Sequence, residues 1–312
     1  MAGEGGAGTR AAEVSAAREA AGSGAMLLTA AFIFGTNYVV VKWALLGAGP
    51  VTVTMYRAVF GAAAMLVIAP LLGTSIRVPL RRSDLGALVL PSALMAGSQL
   101  AFAFSVSHIG AGLASLIANT MPVFSVLLAW AVVRERPTLV ALFGMALAGG
   151  GVALAASVAH GEGSDGAFGV GLMVLAVLGW AAANVVLKRW RPQAGEVATS
   201  AWLLILGSVV FVPIAGAVEG FAVHWSWAFV GELLYSGGLG QVGMLCLLVV
   251  LARGSVMRAS TVTFMTPVFA VAAGALLLDE PVHLQELLGG ALIFAGVGLV
   301  VFRGVRQAAD AR

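Results

Sequence analysis

The chain repeats one sequence pattern about 145 residues further on, so its two halves are expected to fold alike. Pro122-Val-Phe124 in the first half returns as Pro267-Val-Phe269 in the second, inside an apolar segment each time. An acidic residue close to a proline follows each copy, Glu135 in the first half and Glu280 in the second. A repeat of this length predicts the same order of helices twice, which restricts the fold more than any single motif does.

Apolar segments recur along the whole chain, and each is long enough to cross a hydrocarbon core of about 30 Å as a helix. The chain of 312 residues is 60% hydrophobic and only 10% charged, whereas a soluble domain carries roughly 25% charged residues. We therefore predict an all-α membrane protein with ten transmembrane helices in two five-helix repeats. The ten predicted spans are residues 26–46, 51–72, 85–106, 110–132, 138–158, 167–188, 198–218, 228–250, 256–278 and 284–303.

Lysine and arginine fall on one side of this arrangement. If the N-terminus is cytoplasmic, the inner connections carry cations such as Arg77, Arg134 and Lys188, which is the positive-inside pattern. We expect a multi-pass protein of the bacterial cytoplasmic (inner) membrane with both termini in the cytoplasm. Because five spans per half is an odd number, the second half is predicted to be inverted relative to the first. The outer connections, which hold no Lys or Arg, are residues 47–50, 107–109, 159–166, 219–227 and 279–283.

The chain ends differ in composition from the spans. Residues 1–24 are rich in Ala, Gly, Glu and Arg without apolar periodicity, so we expect a disordered cytoplasmic tail. The first repeat is assigned to residues 25–158 and the second to residues 166–304, and residues 305–312 are expected to form a second cytoplasmic tail.

The order, spacing and duplication of these motifs resemble the drug/metabolite transporter superfamily, in its branch with two EamA repeats. The resemblance covers about residues 26–303. It implies a secondary transporter of small metabolites, often an exporter, and the inverted halves suit alternating access. The resemblance does not fix the substrate. The matching segments are Phe34–Lys42 with Gly179–Lys188, Ala114–Phe124 with Ala259–Phe269, and the turns Glu135-Arg-Pro137 and Glu280-Pro281.

One face of the first span and its counterpart in the sixth are candidates for a cavity lining. Residues spaced i, i+4 and i+8 lie on one helix face. We expect Phe34 and Trp180 to approach the midplane from opposite halves and enclose a planar or apolar group. The alternative is that the rings fill packing space while the lysines extend to the two membrane surfaces. The two matched triplets are Phe34, Tyr38 and Lys42, and Trp180, Asn184 and Lys188.

Two charged residues fall within predicted spans, where an unsatisfied charge costs about 2.5–3.5 kcal/mol. Arg57 is expected either to bind a substrate carboxylate or phosphate through its planar fork of donors, or to have a structural partner. Glu232 shares a helix face with Tyr235 and Ser236. It is expected to carry a coupling proton or bind a substrate ammonium, or else to pair with Arg57 or cap its own helix.

Uncharged polar groups and prolines complete the candidate site. Pro122 and Pro267 are predicted hinges, because a proline within a helix removes a backbone hydrogen bond. For the polar groups the alternative is hydrogen bonding between helices, worth about 0.6 kcal/mol per bond. The four amides predicted to line the cavity are Asn37, Gln99, Asn119 and Gln241.

Several chemistries are absent from the sequence. There is no G-x-x-x-x-G-K-[ST] motif and no H-E-x-x-H pair, so we expect no enzymatic activity, no cofactor and no metal. The cations lie in short loops beside membrane lipid, so we expect no nucleic-acid partner. The glycine-rich fifth and tenth spans are expected to pack closely outside the transport path or to form a homodimer.

The combined expectation is a secondary carrier that exports an amino acid or a related zwitterion, coupled to a proton or to exchange. Arg57 or Lys42 would hold the carboxylate, and Glu232 would hold the ammonium group. The alternative is an exporter of hydrophobic or cationic drugs that uses Phe34, Trp180 and Glu232 without Arg57.

Overall fold

The computed structural model describes residues 4–74, 76, 82–134, 137–161, 164–190, 195–252 and 256–310. Arg77 and Glu135, which support part of the sequence argument, lie outside these ranges. Within them the chain is helical almost throughout, and its only β-bridge joins Ala48 to Val223. The helices are α1 (Glu4–Gly47), α2 (Pro50–Leu71), α3 (Arg82–Val106), α4 (Ala111–Ala118), α5 (Met121–Val133), α6 (Leu139–Gly161), α7 (Ser164–Trp190), α8 (Glu196–Val218), α9 (Trp227–Leu233), α10 (Gly240–Ala252), α11 (Val256–Leu277) and α12 (Leu284–Asp310).

Nine segments in the described ranges are long and apolar enough to cross a membrane, and two of them are composite. One consists of α4 and α5, and the other runs through α9, a π-helical segment at Leu234–Leu239, and α10. A shorter apolar helix at Val262–Leu277 lies in the place of the ninth predicted span. The prediction of an all-α membrane fold with five helices in each of two repeats is confirmed.

The helices at both chain ends extend beyond the predicted spans. Helix α1 begins at Glu4, so the segment expected to be a disordered tail is helical from that residue onward. Helix α12 likewise continues to Asp310, past the end expected for the second repeat. Both extensions are rich in alanine, arginine and glutamate or glutamine, which are good helix formers. Each extends a helix that the adjoining span already nucleates, so the unfavourable nucleation step is avoided.

The two predicted hinge prolines have different backbone settings. Helix α4 ends at Ala118, and α5 begins at Met121, so Pro122 lies in the first turn of a new helix. A proline is tolerated there because its missing N–H would have no partner within the helix. Pro267 lies inside the uninterrupted helix α11. The fourth span is therefore broken at its centre, whereas its counterpart in the second half is continuous.

Helix packing follows the repeat. Helix α1 packs on α10 and α11, and its counterpart α7 packs on α3 and on α4 and α5. Helices α2 and α8 are counterparts and pack on each other, as do α6 and α12. This exchange of partners is what two halves related by a two-fold axis in the membrane plane produce. We call α3, α4, α5 and α7 bundle I, and α1, α9, α10 and α11 bundle II.

The glycine-rich helices α6 and α12 pack against each other within the chain. A Cβ atom built at Gly151 would lie 2.6 Å from the carbonyl oxygen of Gly289, and one at Gly144 would lie 2.7 Å from that of Gly296. Neither position has room for a side chain, so glycine allows the two backbones to approach closely. These faces are occupied by intramolecular packing, away from the polar residues described below.

Candidate functional site

Three aromatic residues and one arginine from four different helices meet at the Phe102 ring. Its centroid lies 5.3 Å from that of Tyr38 and 5.8 Å from that of Trp180. The guanidinium carbon of Arg57 lies 5.4 Å from the same centroid. That distance is within the range of a cation–π interaction. The structure thus joins Tyr38, Arg57 and Trp180, all predicted from sequence, through Phe102, which was not.

Arg57 is buried, with 8% of its surface exposed. Its Nε and Nη1 atoms have no hydrogen-bond partner in the part of the chain that the structure describes. No ion pair with Glu232 forms among the described residues, so the Arg57–Glu232 pair considered as an alternative is not observed. Glu232 is half-buried on α9 instead. Two buried guanidinium nitrogens without acceptors are costly, and such groups in a native protein call for an explanation.

Other buried polar atoms also lack partners among the described residues. They are Asn37 Oδ1 on α1, Thr52 Oγ1 on α2, Asn119 Nδ2 at the junction of α4 and α5, and Ser236 Oγ in the π-helical segment. Asn37 precedes Tyr38 directly. Ala118, directly before Asn119, packs on the same apolar cluster as Tyr38 and Phe102. These atoms include a donor, an acceptor and a hydroxyl group that can act as either.

The π-helical segment packs closely on the turn of α2 that carries Arg57. A Cβ atom built at Gly237 would lie 2.7 Å from the carbonyl oxygen of Arg57 and 3.2 Å from the amide nitrogen of Gly61. The Gln241 side-chain amide donates to the carbonyl of Gly237 over 3.3 Å. The hydroxyl groups of Tyr235 and Thr36 share a hydrogen bond of 2.5 Å. Of the second-half residues predicted for the site, Tyr235 and Gln241 therefore support the packing around α1 and α2.

Phe34 lies apart from Trp180. Its side chain packs with the cluster that contains Leu27 and Val262, and a Cβ atom built at Gly243 would lie 3.1 Å from its ring. Trp180 packs with the separate cluster around Phe102. The expected enclosure of one group between Phe34 and Trp180 is therefore not formed in this structure. The reason is that this part of α1 faces α10 and α11, which turns the Phe34 ring away from bundle I.

The remaining residues predicted for the site have more exposed side chains. Gln99 is half-buried on α3, one turn before Phe102 and on the same helix face. Asn184 is exposed on α7, and its amide nitrogen lies 3.9 Å from the sulfur of Met121. Lys188 is exposed and forms no ion pair with the described residues.

Lys42 is paired with Glu280, in the connection between α11 and α12. Its ammonium nitrogen lies 2.5 Å from Glu280 Oε1. The other carboxylate oxygen, Oε2, accepts a hydrogen bond of 2.8 Å from the backbone N–H of Ala111 at the start of α4. A carboxylate is favoured at a helix N-terminus, where the N–H groups carry partial positive charge. Sequence reasoning noted both residues but missed that they form a pair.

A second carboxylate makes a similar contact at the same end of the molecule. Glu219 accepts hydrogen bonds from the backbone N–H groups of Val51 and Thr52, at 3.1 and 2.8 Å. Val51 and Thr52 lie in the first turn of α2. Glu280 and Glu219, both from the second half, therefore cap α4 and α2 of the first half. Both lie in connections without Lys or Arg, directly beside an apolar span, and this is the sequence signal that could have identified them.

A cleft of about 220 Å³ opens beside the Lys42–Glu280 pair. It lies where the connections predicted to be outside come together, at the junction of α4 and α11. Across this junction, a Cβ atom built at Gly112 would lie 2.9 Å from a methyl group of Val271. The polar residues that line the cleft are Lys42, Ser107, His108, Glu280, His283 and Glu286.

Counterparts in the two halves have different surroundings. Tyr38 is buried and Lys42 is 22% exposed and paired, whereas Asn184 and Lys188 are both exposed. Helix α4 packs on α11, but α5 packs on α7 and α12. The two bundles therefore meet at the end that carries Lys42.

Two inverted repeats that bury polar groups between helices of both halves define a membrane transporter. Residues 23–157 and 167–302 each match the model of the EamA-like transporter family, and the chain belongs to that family. It is an integral, multi-pass membrane protein whose family transports small molecules, and the family indicates a transporter, not an enzyme.

Several curated proteins are similar over most of their length. The transporter YvbV of Bacillus subtilis is 27% identical over 288 residues, which are 89% of this chain and 91% of YvbV. A protein of Escherichia coli named "Probable amino-acid metabolite efflux pump" is 27% identical, over 89% of this chain and 94% of its own. One of Streptantibioticus cattleyicolor named "Probable terminal-alkyne amino-acid exporter" is 28% identical, over 81% and 84%.

The fold also matches a solved structure. A crystal structure aligns with a TM-score of 0.61 at 14% sequence identity and covers 91% of this chain and 98% of its own. At this identity the match supports the fold alone.

Proposed function

We propose that the protein is a secondary carrier that exports an amino acid or a related zwitterion across the cytoplasmic membrane. The observation that carries this proposal is the buried Arg57 side chain, whose Nε and Nη1 donors have no partner among the described residues. Its guanidinium carbon lies 5.4 Å from the centroid of the Phe102 ring on α3, and that ring contacts rings from α1 and α7. A membrane chain retains such a costly cation where a substrate anion completes its bonds.

Buried polar atoms on α1, on α2 and at the α4–α5 junction, which have no hydrogen-bond partner among the described residues, match the groups of a zwitterion. A guanidinium binds a carboxylate through two parallel hydrogen bonds, and the Asn119 amide can add a third donor. Asn37 Oδ1 is an acceptor and suits an ammonium group. The rings of Tyr38, Phe102 and Trp180 offer apolar surface for the rest of the substrate. Anchoring by these groups therefore favours a small molecule with adjacent positive and negative charges.

The unequal surroundings of the counterpart residues support alternating access. In a structure equally closed at both ends, Lys42 and Lys188 would have similar surroundings. Here Lys42 is paired and Lys188 is exposed. We propose that this is the conformation closed to the outside. The outer end opens when each half takes up the conformation that the other half has here. The side assignment rests on the distribution of Lys and Arg in the connections.

Coupling is proposed to involve Glu232. It is half-buried within the eighth span, and an ionisable residue at such a place is by default a functional candidate. Transport driven by proton exchange would depend on this carboxylate, whereas exchange between substrates would not. Transport by a Glu232→Gln variant in proteoliposomes, with and without a pH gradient, separates the two.

The test of the proposal is export itself. Cells that overproduce the native protein are compared with cells that produce an Arg57→Met variant at equal membrane abundance, and the medium is analysed by untargeted mass spectrometry. We expect one or more amino acids or related zwitterions to accumulate outside only with the native protein. Accumulation of cations that lack a carboxylate, at equal levels for both proteins, would instead indicate drug export without Arg57.

A further inference from the structure

At the end of the molecule that carries Lys42, a carboxylate links the two bundles. Glu280 moves with α11 of bundle II, since its backbone N–H donates to the carbonyl of Gly274 over 3.1 Å. Its Oε2 atom accepts from the N–H of Ala111, which begins α4 of bundle I. We propose that Glu280 is a latch that keeps the outer end closed, and that Lys42 positions its carboxylate.

The roles of the two residues follow from where they lie. Lys42 and Glu280 both belong to bundle II, so their ion pair does not have to break when the bundles separate. The bond from Ala111 N–H to Glu280 joins the bundles and must break. Lys42 holds the carboxylate oriented towards α4, which makes it a positioning residue.

Glycine at two neighbouring positions leaves room for this contact. A Cβ atom built at Gly274 would lie 2.6 Å from Glu280 Oε2, and one at Gly110 would lie 3.3 Å from the same atom. Alanine at position 274 would therefore displace the carboxylate without changing any charge. This gives a second way to release the latch that is independent of Glu280 itself.

Two residues beside the latch, the buried Leu113 and the half-buried Val271, report whether it is open. Leu113 on α4 lines the cleft and is only 2% exposed, and Val271 lines it from α11. Separation of the bundles at this end would expose both side chains to the outside. A single cysteine at either position, in a Cys246→Ser background, can then be labelled in intact cells with a membrane-impermeant maleimide.

We expect Glu280→Ala and Gly274→Ala each to raise the labelling rate of Leu113→Cys roughly tenfold, the factor for a lost interaction of about 1.4 kcal/mol. Glu280→Gln keeps an acceptor for Ala111 N–H and should give a smaller rise. Lys42→Met should also give a small rise, because the carboxylate remains but is less well oriented. The matched control is Lys188→Met, the counterpart on the opposite side, which should leave the rate unchanged.

The outcome is decided by the pattern across variants. Unchanged labelling in both Glu280→Ala and Gly274→Ala, at native membrane abundance, would overturn the latch. Val271→Cys is the second reporter, on the other bundle, in case Leu113→Cys does not fold. The inference rests on the alternating-access part of the proposed function. Because labelling needs no substrate, its failure is distinguishable from a failure of the export experiment.

Discussion

Replacing Arg57 by methionine should weaken substrate binding and at the same time stabilise the free protein. The buried guanidinium makes no described hydrogen bond through Nε or Nη1, and its carbon lies 5.4 Å from the centroid of the Phe102 ring. A charged side chain within a membrane span costs about 2.5–3.5 kcal/mol, and a cation–π contact offsets about 0.5–2 kcal/mol of that cost. Methionine removes the charge and keeps most of the volume. We therefore expect a gain of about 0.5–3 kcal/mol in the free energy of unfolding without substrate.

Substrate binding should change in the opposite direction. Two hydrogen bonds to a charged group are worth about 1.5–3 kcal/mol each. Loss of about 3 kcal/mol corresponds to a rise in Kd of roughly 100-fold. The expected signature is thus a more stable protein that no longer binds, which a purely structural arginine would not produce.

Thermal unfolding of the purified protein, followed by intrinsic tryptophan fluorescence with and without the exported compound, measures both effects. Arg57→Lys is the matched control, because it keeps the charge but loses the planar fork of donors. It should show no gain in stability and an intermediate loss of binding. A less stable Arg57→Met protein with unchanged substrate-induced stabilisation would refute the reasoning and make Arg57 a structural residue.

Three further substitutions test the packing and the site. Phe102→Leu removes the ring beneath Arg57 and should raise the Kd for substrate roughly fivefold, because the cation–π contact is worth about 1 kcal/mol. Phe102→Trp keeps an aromatic ring and should not raise the Kd. Equal Kd values for the two variants in a binding assay would contradict this. Gly151→Ala should destabilise the α6–α12 contact by about 1–3 kcal/mol. Gly150→Ala should not, because no atom of a neighbouring helix lies within 4 Å of the new Cβ. Equal melting temperatures of the two variants would contradict the packing. Glu219→Ala removes the cap of α2 and should cost about 1 kcal/mol of stability, with Glu219→Gln costing less in the same unfolding measurement.

The spans and the repeat could be predicted from sequence because they depend on local properties. Mean apolarity over twenty residues identifies a span, and Pro122 and Pro267 align the halves without any structure. The distribution of Lys and Arg gives a consistent alternation of sides. Low apolarity predicted a disordered tail for residues 1–24, whereas α1 begins at Glu4, where frequent alanines favour a helix.

The details of the site depend on contacts between distant parts of the chain. Phe102 gives no signal in sequence, because one phenylalanine in an apolar span resembles any other. Phe34 and Trp180 occupy equivalent positions, yet their rings face different helices. The partner of Lys42 lies 238 residues away, and only the meeting of α1 with the connection after α11 brings Glu280 to it.

The central claim, that the outer end must open during each transport cycle, can be tested most directly with a disulfide across the α4–α11 contact. A Cβ atom built at Gly112 would lie 3.6 Å from the Cβ of Val271, within the usual separation of about 3.5–4.5 Å for a disulfide. The measurement is export by Gly112→Cys/Val271→Cys in a Cys246→Ser background, oxidised and then reduced. The matched control is Ser98→Cys/Gly179→Cys within bundle I, where the corresponding distance is 3.5 Å.

We predict that oxidation stops export in the Gly112→Cys/Val271→Cys protein, that reduction restores it, and that the control protein exports in both states. Continued export by the oxidised protein, with the disulfide confirmed by mass spectrometry, would contradict alternating access through this end.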